Sequence, residues 1–262
     1  MTKCAGIGII LLNNALQAYP QIGVIFMDML RKKRVIIVLA VVLLIVVLLW
    51  KQPWEQKKVP TMAQNGPVLI IDAGHGGADG GASTAGGVLE ADLNLSISLK
   101  LDALAHLYGR DTVLTRETQE INYPSEANTI AKQKVYDQKT RVGLINQYPN
   151  GVLVSVHQNY YPDSRPSGAQ VLYGHTPESE VFGKLLHVNL VAALDPSNRR
   201  VAAPIDDNIY LMRNAQCTAV LVECGFLSNP GEAELLCDDN YQNQISVILL
   251  ASYLEYLSSG AA

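Results

Sequence analysis

The chain has 262 residues, of which 48% are hydrophobic and 17% are charged. This composition excludes an intrinsically disordered protein, and the length allows one domain of roughly 200 residues with an N-terminal extension. Residues 59–262 hold 12 Lys and Arg against 22 Asp and Glu. Because binding to phosphates needs clustered Lys and Arg, this acidic balance argues against nucleic acid as a partner.

The N-terminal part contains a basic cluster followed by an apolar run. The cluster is RKKR at 31–34, and the run is VIIVLAVVLLIVVLLW at 35–50. This pattern is typical of a signal anchor or a signal peptide. No small-x-small cleavage site closes the run, so an uncleaved transmembrane anchor is favoured over a cleaved signal. The positive-inside rule then places the cluster in the cytoplasm and the chain beyond Trp50 outside the membrane.

The segments around this run suggest a division into four parts. Residues 1–30 form an N-terminal extension that a misassigned start codon would explain, since a chain beginning at Met27 or Met29 would have an ordinary short basic head. Residues 31–50 form the signal anchor or signal peptide. Residues 51–66 have the prolines and charges of a linker. A folded domain is predicted at 67–258.

Strand and helix signals alternate through this domain. Apolar runs typical of buried strands lie at 68–71, 112–115, 151–157, 169–173 and 219–224, and helical spacing of apolar residues is found at 90–107, 125–147, 178–194 and 241–256. Asn229 and Pro230 have the arrangement of a helix N-cap and first helical residue. Alternating strands and helices predict an α/β domain with a mostly parallel central sheet.

Two histidines stand where buried strands end. His75 lies in the glycine-rich sequence DAGHGG at 72–77, and His157 ends the apolar strand at 151–157. Ligands of open α/β sheets bind at the carboxyl ends of the strands. A phosphate-binding loop is the alternative for 72–77, but the segment lacks Walker and dinucleotide spacing and has no following lysine. His106, His175 and His187 lack such placement and are expected on the surface.

Two glutamates accompany these histidines. Glu223 stands near the end of the strand at 219–224, where a buried carboxylate needs a partner or a metal. Alternation along the strand sends Cys224 to the opposite face, which makes it an improbable nucleophile. Glu90 opens the helix at 90–107, where the helix dipole alone would also favour a carboxylate.

This set of side chains suits hydrolysis of an amide. Two histidines and one glutamate can hold Zn²⁺ and leave a position open, and the remaining glutamate can move protons. A zinc ion lowers the pKa of water toward about 7 and polarises a carbonyl. The residues alone leave open which glutamate takes which role.

At these residues the sequence resembles the zinc-dependent N-acetylmuramoyl-L-alanine amidase family (amidase type 3). The resemblance runs from about Val68 to Leu257. It rests on DAGHGG, on Glu90 with Asp92 and Asn94, on Thr115-Arg116, on Arg141 before Asn146, on the S-x-H-x-N segment at 155–159, on Gly168-Ala169 and on LVECGFLSNPGEAE at 221–234. Two departures are Gln158, where the family usually has a small residue, and Ala78-Asp79-Gly80-Gly81, where a proline is commoner before the last glycine.

The resemblance implies roles for four residues. His75, Glu90 and His157 become zinc ligands, and Glu223 becomes the catalytic base. The implied fold is a single domain with a mixed sheet of about six strands flanked by helices, which makes 67–258 the catalytic domain. The implied reaction is hydrolysis of the bond between N-acetylmuramic acid and L-alanine in peptidoglycan, at the membrane or in the cell wall if the signal is cleaved.

The resemblance also bears on the biological role and its alternatives. The short chain without wall-binding repeats is similar to the sporulation and germination-specific branch, which acts in the spore cortex. A zinc peptidase cutting bonds within the stem peptide would use the same metal chemistry and stays an alternative. A non-catalytic wall-binding homologue is the other alternative, although such a protein is expected to lose a ligand or the base. The sequence identifies no protein regulator.

Overall fold

The computed structural model describes residues 28–29, 31–33, 37 and 66–260 of the chain. The predicted extension at 1–30, the signal segment at 31–50 and the linker at 51–66 lie outside the described residues except at these few positions. Among the described residues, no helix combines the length and the apolar character needed to cross a membrane. The chain divides at Pro60 into two compact units, and the second, Thr61–Ala262, contains the predicted folded domain.

Within residues 66–260, six strands form one mixed sheet, as predicted. They are β1 (Leu69–Ala73), β2 (Thr112–Leu114), β3 (Val152–Asn159), β4 (Gln170–Tyr173), β5 (Ala203–Pro204) and β6 (Thr218–Phe226). Their order across the sheet is β2-β1-β3-β6-β4-β5. Neighbouring strands pair in parallel except for β4 and β6, which are antiparallel. The short strand β5 has no counterpart in the sequence prediction, because two residues carry too little periodicity.

Six helices flank the sheet in the same stretch. They are α1 (Glu90–Leu107), α2 (Ile130–Ile145), α3 (Pro177–Leu194), α4 (Tyr210–Asn214), α5 (Pro230–Cys237) and α6 (Asp239–Ser258). Helix α2 begins five residues later than the predicted 125 because Thr129 caps it, accepting a hydrogen bond from the Lys132 amide. Asn229 caps α5 as predicted, accepting from the amides of Gly231 and Glu232. Helix α4 was not predicted.

The core lies on both faces of the sheet. Side chains of β1, β3 and β6 alternate between a larger cluster shared with α1, α3 and α6 and a smaller one that includes Ile145 of α2 and Met212 of α4. Since both faces are covered, the central strands are apolar at nearly every position, which explains the unbroken runs in the sequence. Cys224 belongs to the larger cluster, so it faces away from Glu223 as predicted.

One histidine departs from its predicted surface position. His187 is only 6% exposed, and its Nε2 donates to the carbonyl of Arg200 at 2.8 Å. It follows Gly183 by four residues on the buried stripe of α3, so helix periodicity could have revealed it. The side chains of His106 and His175 are 60% and 48% exposed, as expected.

Candidate metal centre

Strand register brings the candidate residues to one edge of the sheet. Ala73, the last residue of β1, pairs with Val156 of β3, and His157 of β3 pairs with Glu223 of β6. The loop after β1 and the ends of β3 and β6 therefore meet. The register between β3 and β6 shifts immediately after this pair, as happens at β-bulges beside active sites.

His75 adopts a backbone conformation that residues other than glycine rarely take. Its φ is 58°, and Gly76 and Gly77 follow at 125° and 56°. This left-handed turn lifts the imidazole above the end of β1. A Cβ on Gly74 would lie 2.3 Å from Nε2 of His157, so only glycine allows the loop to approach that ring.

Glu90 is the first residue of α1 and is 4% exposed. Its Oε2 accepts from the amide of Ala82 at 3.0 Å, and its Oε1 accepts from the amide of Gln158 at 3.2 Å. These bonds explain how a carboxylate is tolerated inside the domain. They also fix the carboxylate between the loop after β1 and the end of β3.

The three predicted ligands converge. Oε1 of Glu90 lies 3.3 Å from Nε2 of His75 and 3.1 Å from Nδ1 of His157. Ligand atoms of all three residues lie within 4.8 Å of one another. Burial opposes ionisation of Glu90, but hydrogen bonds from His157 and His75 outweigh it and hold the pKa of Glu90 well below its usual range.

The chemistry of these donors fits a zinc ion. Two imidazoles and one carboxylate form a three-ligand set that leaves one coordination position open. The two imidazole rings stand 5.0 Å apart at 74°, so their edges converge without stacking. Asp79 supports one of them, with its Oδ2 lying 3.0 Å from Nδ1 of His75 and 3.0 Å from Nζ of Lys134. This contact leaves Nε2 of His75 for a metal.

A buried ionic group holds the loop that carries His75. Asp72 is 1% exposed and accepts from Arg141 Nη1 at 3.0 Å, from Ser155 Oγ at 2.6 Å and from Thr115 Oγ1 at 2.7 Å. Burial alone would raise the pKa of Asp72, but Arg141 and the two hydroxyls lower it overall. Asp72 therefore stays ionised and anchors the end of β1.

Two arginines bind the backbone carbonyls of the same loop. Arg141 donates to the carbonyls of Ala73 and His75, and Arg116 donates to those of Ala73 at 2.9 Å and Gly74 at 3.1 Å. Both arginines belong to motifs of the sequence, but the motifs predicted no role for them. Arg116 follows the short strand β2 and Arg141 lies within α2, so the carbonyls that they reach depend on the tertiary fold.

The carboxylate of Glu223 has fewer hydrogen-bond partners than the carboxylates of Asp72 and Glu90. Its Oε2 is buried and has no hydrogen-bond partner among the described residues. Burial raises the pKa of Glu223; His157 opposes this shift and the charge of Glu90 adds to it. A carboxylate with an unused lone pair beside a metal-binding set can accept a proton.

A cavity of about 370 Å³ opens over these four residues. Besides the site itself, side chains of α2 and of the segment before and within α4 form its walls, among them Lys134, Gln138, Asn208, Tyr210 and Met212. These wall residues were not predicted, because nothing in the spacing of the two segments points to the site.

Comparison with known proteins agrees with this geometry. The family model Amidase_3, described as N-acetylmuramoyl-L-alanine amidase, matches residues 69–251. The germination-specific N-acetylmuramoyl-L-alanine amidase of Bacillus subtilis (strain 168) is 33% identical over 210 residues, which are 80% of this chain and 84% of that protein.

Solved structures show the same fold. The CwlD amidase of Clostridioides difficile, solved in complex with the GerS lipoprotein, is 36% identical with a TM-score of 0.70; the alignment covers 74% of this chain and all of that one. An N-acetylmuramoyl-L-alanine amidase of Clostridium difficile 630 is 26% identical with a TM-score of 0.64, covering 74% of this chain and 98% of that one. With a family model matching most of its length, this chain belongs to the N-acetylmuramoyl-L-alanine amidase family.

Proposed function

We propose that this enzyme uses zinc to hydrolyse the amide bond between N-acetylmuramic acid and L-alanine in peptidoglycan, with His75, Glu90 and His157 as ligands and Glu223 as base. The observation that carries the proposal is the convergence of the three donor side chains, within 4.8 Å, beside a carboxylate with one buried oxygen that has no hydrogen-bond partner among the described residues. Membership of the amidase family supplies the bond that is cut.

The protein residues have distinct tasks in this reaction. A bound zinc ion supplies a Lewis acid for the substrate carbonyl and lowers the pKa of water toward about 7. Glu223 takes the proton of the attacking water at its unpaired Oε2 and delivers it to the leaving nitrogen. Burial raises the pKa of Glu223, which makes its carboxylate a stronger base for the proton of the attacking water.

The remaining contacts keep the ligands in place. Asp79 orients the ring of His75, and the amides of Ala82 and Gln158 orient the carboxylate of Glu90. All four candidate residues are retained, which argues against a non-catalytic wall-binding protein.

The products of digestion test this function. The full-length chain, purified in detergent and loaded with zinc, should release intact stem peptides beginning with L-alanine from purified peptidoglycan, as measured by mass spectrometry. Bound zinc should be about one per chain. Cleavage between amino acids of the stem would instead identify the zinc peptidase, and digestion by neither route would contradict both.

A role in the spore cortex is supported by the relative named germination-specific, which aligns over 84% of its length. Expression of this chain in Bacillus subtilis lacking that relative tests the role. The branch that this chain resembles helps to make muramic lactam in the spore cortex, so muramic lactam should return to the cortex of the spores. The Glu223→Gln variant should leave it absent. Equal restoration by both would contradict the proposal.

The sequence pattern at 31–50 supports attachment to the cytoplasmic membrane with the catalytic domain outside. Protease added to spheroplasts should digest the domain beyond Trp50. Protection of the domain would overturn this orientation. An N-terminus well beyond Trp50 in the mature protein would instead indicate a cleaved signal and secretion to the cell wall.

A further inference from the structure

Behind the carboxylate of Glu90 lies a buried pair of amide side chains, Asn94 on α1 and Gln158 on β3. We propose that Gln158 is a positioning residue that acts through Asn94 to hold Glu90 in the orientation that binds the metal. The inference rests on the proposed zinc site and adds a residue that is not one of the three converging ligands.

The contacts form a continuous chain of hydrogen bonds. Gln158 Nε2 donates to Asn94 Oδ1 at 3.2 Å, and Asn94 Nδ2 donates to Glu90 Oε1 at 3.4 Å and to the carbonyl of Gly74 at 3.1 Å. Asn94 is 0% exposed and Gln158 is 3% exposed, so water does not compete with these bonds. The chain thus links Gln158 both to the ligand Glu90 and to the residue before the ligand His75.

The orientation of both amides follows from one backbone group. The carbonyl of Gly74 can only accept, so Asn94 must turn its NH₂ group toward it and toward Glu90. The oxygen of Asn94 then faces Gln158 and accepts a hydrogen bond from the NH₂ group of Gln158. Without that donor, the oxygen of Asn94 would be buried without a hydrogen-bond partner, and only the carbonyl of Gly74 would oppose rotation of the amide.

The other end of Gln158 indicates that the glutamine is not there for stability. Its Oε1 is buried and has no hydrogen-bond partner among the described residues. A buried carbonyl oxygen without a partner destabilises the folded state, and an apolar side chain of similar shape would avoid that penalty. The useful part of the side chain is therefore its NH₂ group, which faces Asn94.

Gln158→Met tests the inference, because methionine keeps the length and removes the donor. In the full-length protein, the dissociation constant for zinc, measured by competition with a chromophoric chelator, should rise about 10–100-fold, the usual effect of losing an outer partner of a ligand. The melting temperature of the metal-free protein should stay the same or increase. Gln158→Glu should weaken zinc binding at least as much, because its carboxylate cannot donate to Asn94.

Gln242→Met is the matched control. Gln242 lies on α6, away from the site; it is 5% exposed, donates to the carbonyl of Leu236 at 2.8 Å and accepts from Ser96 Oγ at 2.6 Å. Its loss should lower the melting temperature and leave zinc affinity unchanged. Equal changes in zinc affinity for Gln158→Met and Gln242→Met would show a general structural effect and overturn the inference.

A double-mutant cycle tests whether Gln158 acts through Asn94. Asn94→Ala alone should weaken zinc binding, and adding Gln158→Met should weaken it no further. Additive losses of zinc affinity would show that Gln158 acts independently of Asn94 and would overturn the inference. Unchanged zinc affinity in Gln158→Met and Gln158→Glu would overturn this inference alone, whereas a wild-type chain that binds no zinc would also overturn the proposed metal site.

Discussion

The loop after β1 and the end of β6 contribute to the same site but are built differently. The loop carrying His75 is fixed by Asp72 and by two arginines that bind its carbonyls. Glu223 on β6 has a buried oxygen without a partner among the described residues. A metal ligand must be held in one place, whereas a base needs a free lone pair. Under the proposed roles, the loop that carries a metal ligand is held by many contacts, and the base keeps an oxygen without a hydrogen bond from the described residues.

Removing one of the proposed metal ligands should have the largest effect. His157→Ala leaves one imidazole and one carboxylate, too few to hold zinc firmly, so we expect loss of most zinc and of amidase activity. Elemental analysis of the purified protein measures the metal. His106→Ala, at an exposed histidine, is the control and should keep both. Full zinc content in His157→Ala would contradict the ligand assignment.

Substituting Glu223 should separate the chemical step from metal binding. Glu223→Gln keeps the shape but cannot accept a proton, so activity should fall about 10²–10⁴-fold while zinc content stays the same. Peptide release from peptidoglycan measures the activity. Glu90→Gln should instead lose zinc, because a neutral amide is a weaker ligand. The opposite pattern in these two variants would show that the roles of the two carboxylates are exchanged.

Breaking the buried Asp72–Arg141 pair behind the loop should change the stability of the domain more than the rate of hydrolysis. Arg141→Met leaves Asp72 buried without its cation, which should lower the free energy of unfolding by about 3–5 kcal/mol. Denaturant unfolding of the metal-free protein measures this change. Arg165→Met, which removes an exposed pair with Asp163, is the control and should leave the unfolding midpoint unchanged. Equal midpoints for the two variants would mean that the buried pair does not hold the loop.

The smallest effect is expected from breaking the solvent-exposed ion pair between Lys134 and Asp79. Lys134 is about half exposed and pairs with Asp79 at 3.0 Å. Lys134→Met should lower the free energy of unfolding by no more than about 1 kcal/mol, because exposed ion pairs contribute little. Zinc content should remain as in the wild type, since Asp79 still reaches His75. A loss of zinc comparable to that of His157→Ala would show that Lys134 is needed to keep Asp79 in position.

The sequence predicted five of the six strands and indicated His75, His157 and Glu223, because apolar runs and the polar residues at their ends are local signals. The assignment of Glu90 depended on the family resemblance, and the roles of all four residues stay predictions. Apolar runs marked the strands, and the polar residues at their ends marked where the chain leaves the core. No such signal in the sequence indicates the hydrogen bond between Asn94 and Gln158 or the contacts of Arg116. Their partners lie far away in the sequence, and only strand order and register bring them together.

The unpredicted elements have the same explanation. Strand β5 spans two residues and α4 spans five, too short for any periodicity to appear. Both exist because neighbouring elements supply their partners, β4 for the strand and the small apolar cluster for the helix. Such elements are specified by their surroundings, and local propensity contributes little.

The strand order also determines when the enzyme becomes active during folding. β3 separates β1 from β6 in the sheet, and β6 is the last of the six strands in the chain. His75 cannot meet His157 until β3 has paired with β1, and Glu223 joins them only when β6 completes the sheet. A partly synthesised or partly folded chain therefore holds an incomplete set of these residues. The four residues therefore come together only after β1, β3 and β6 have all paired.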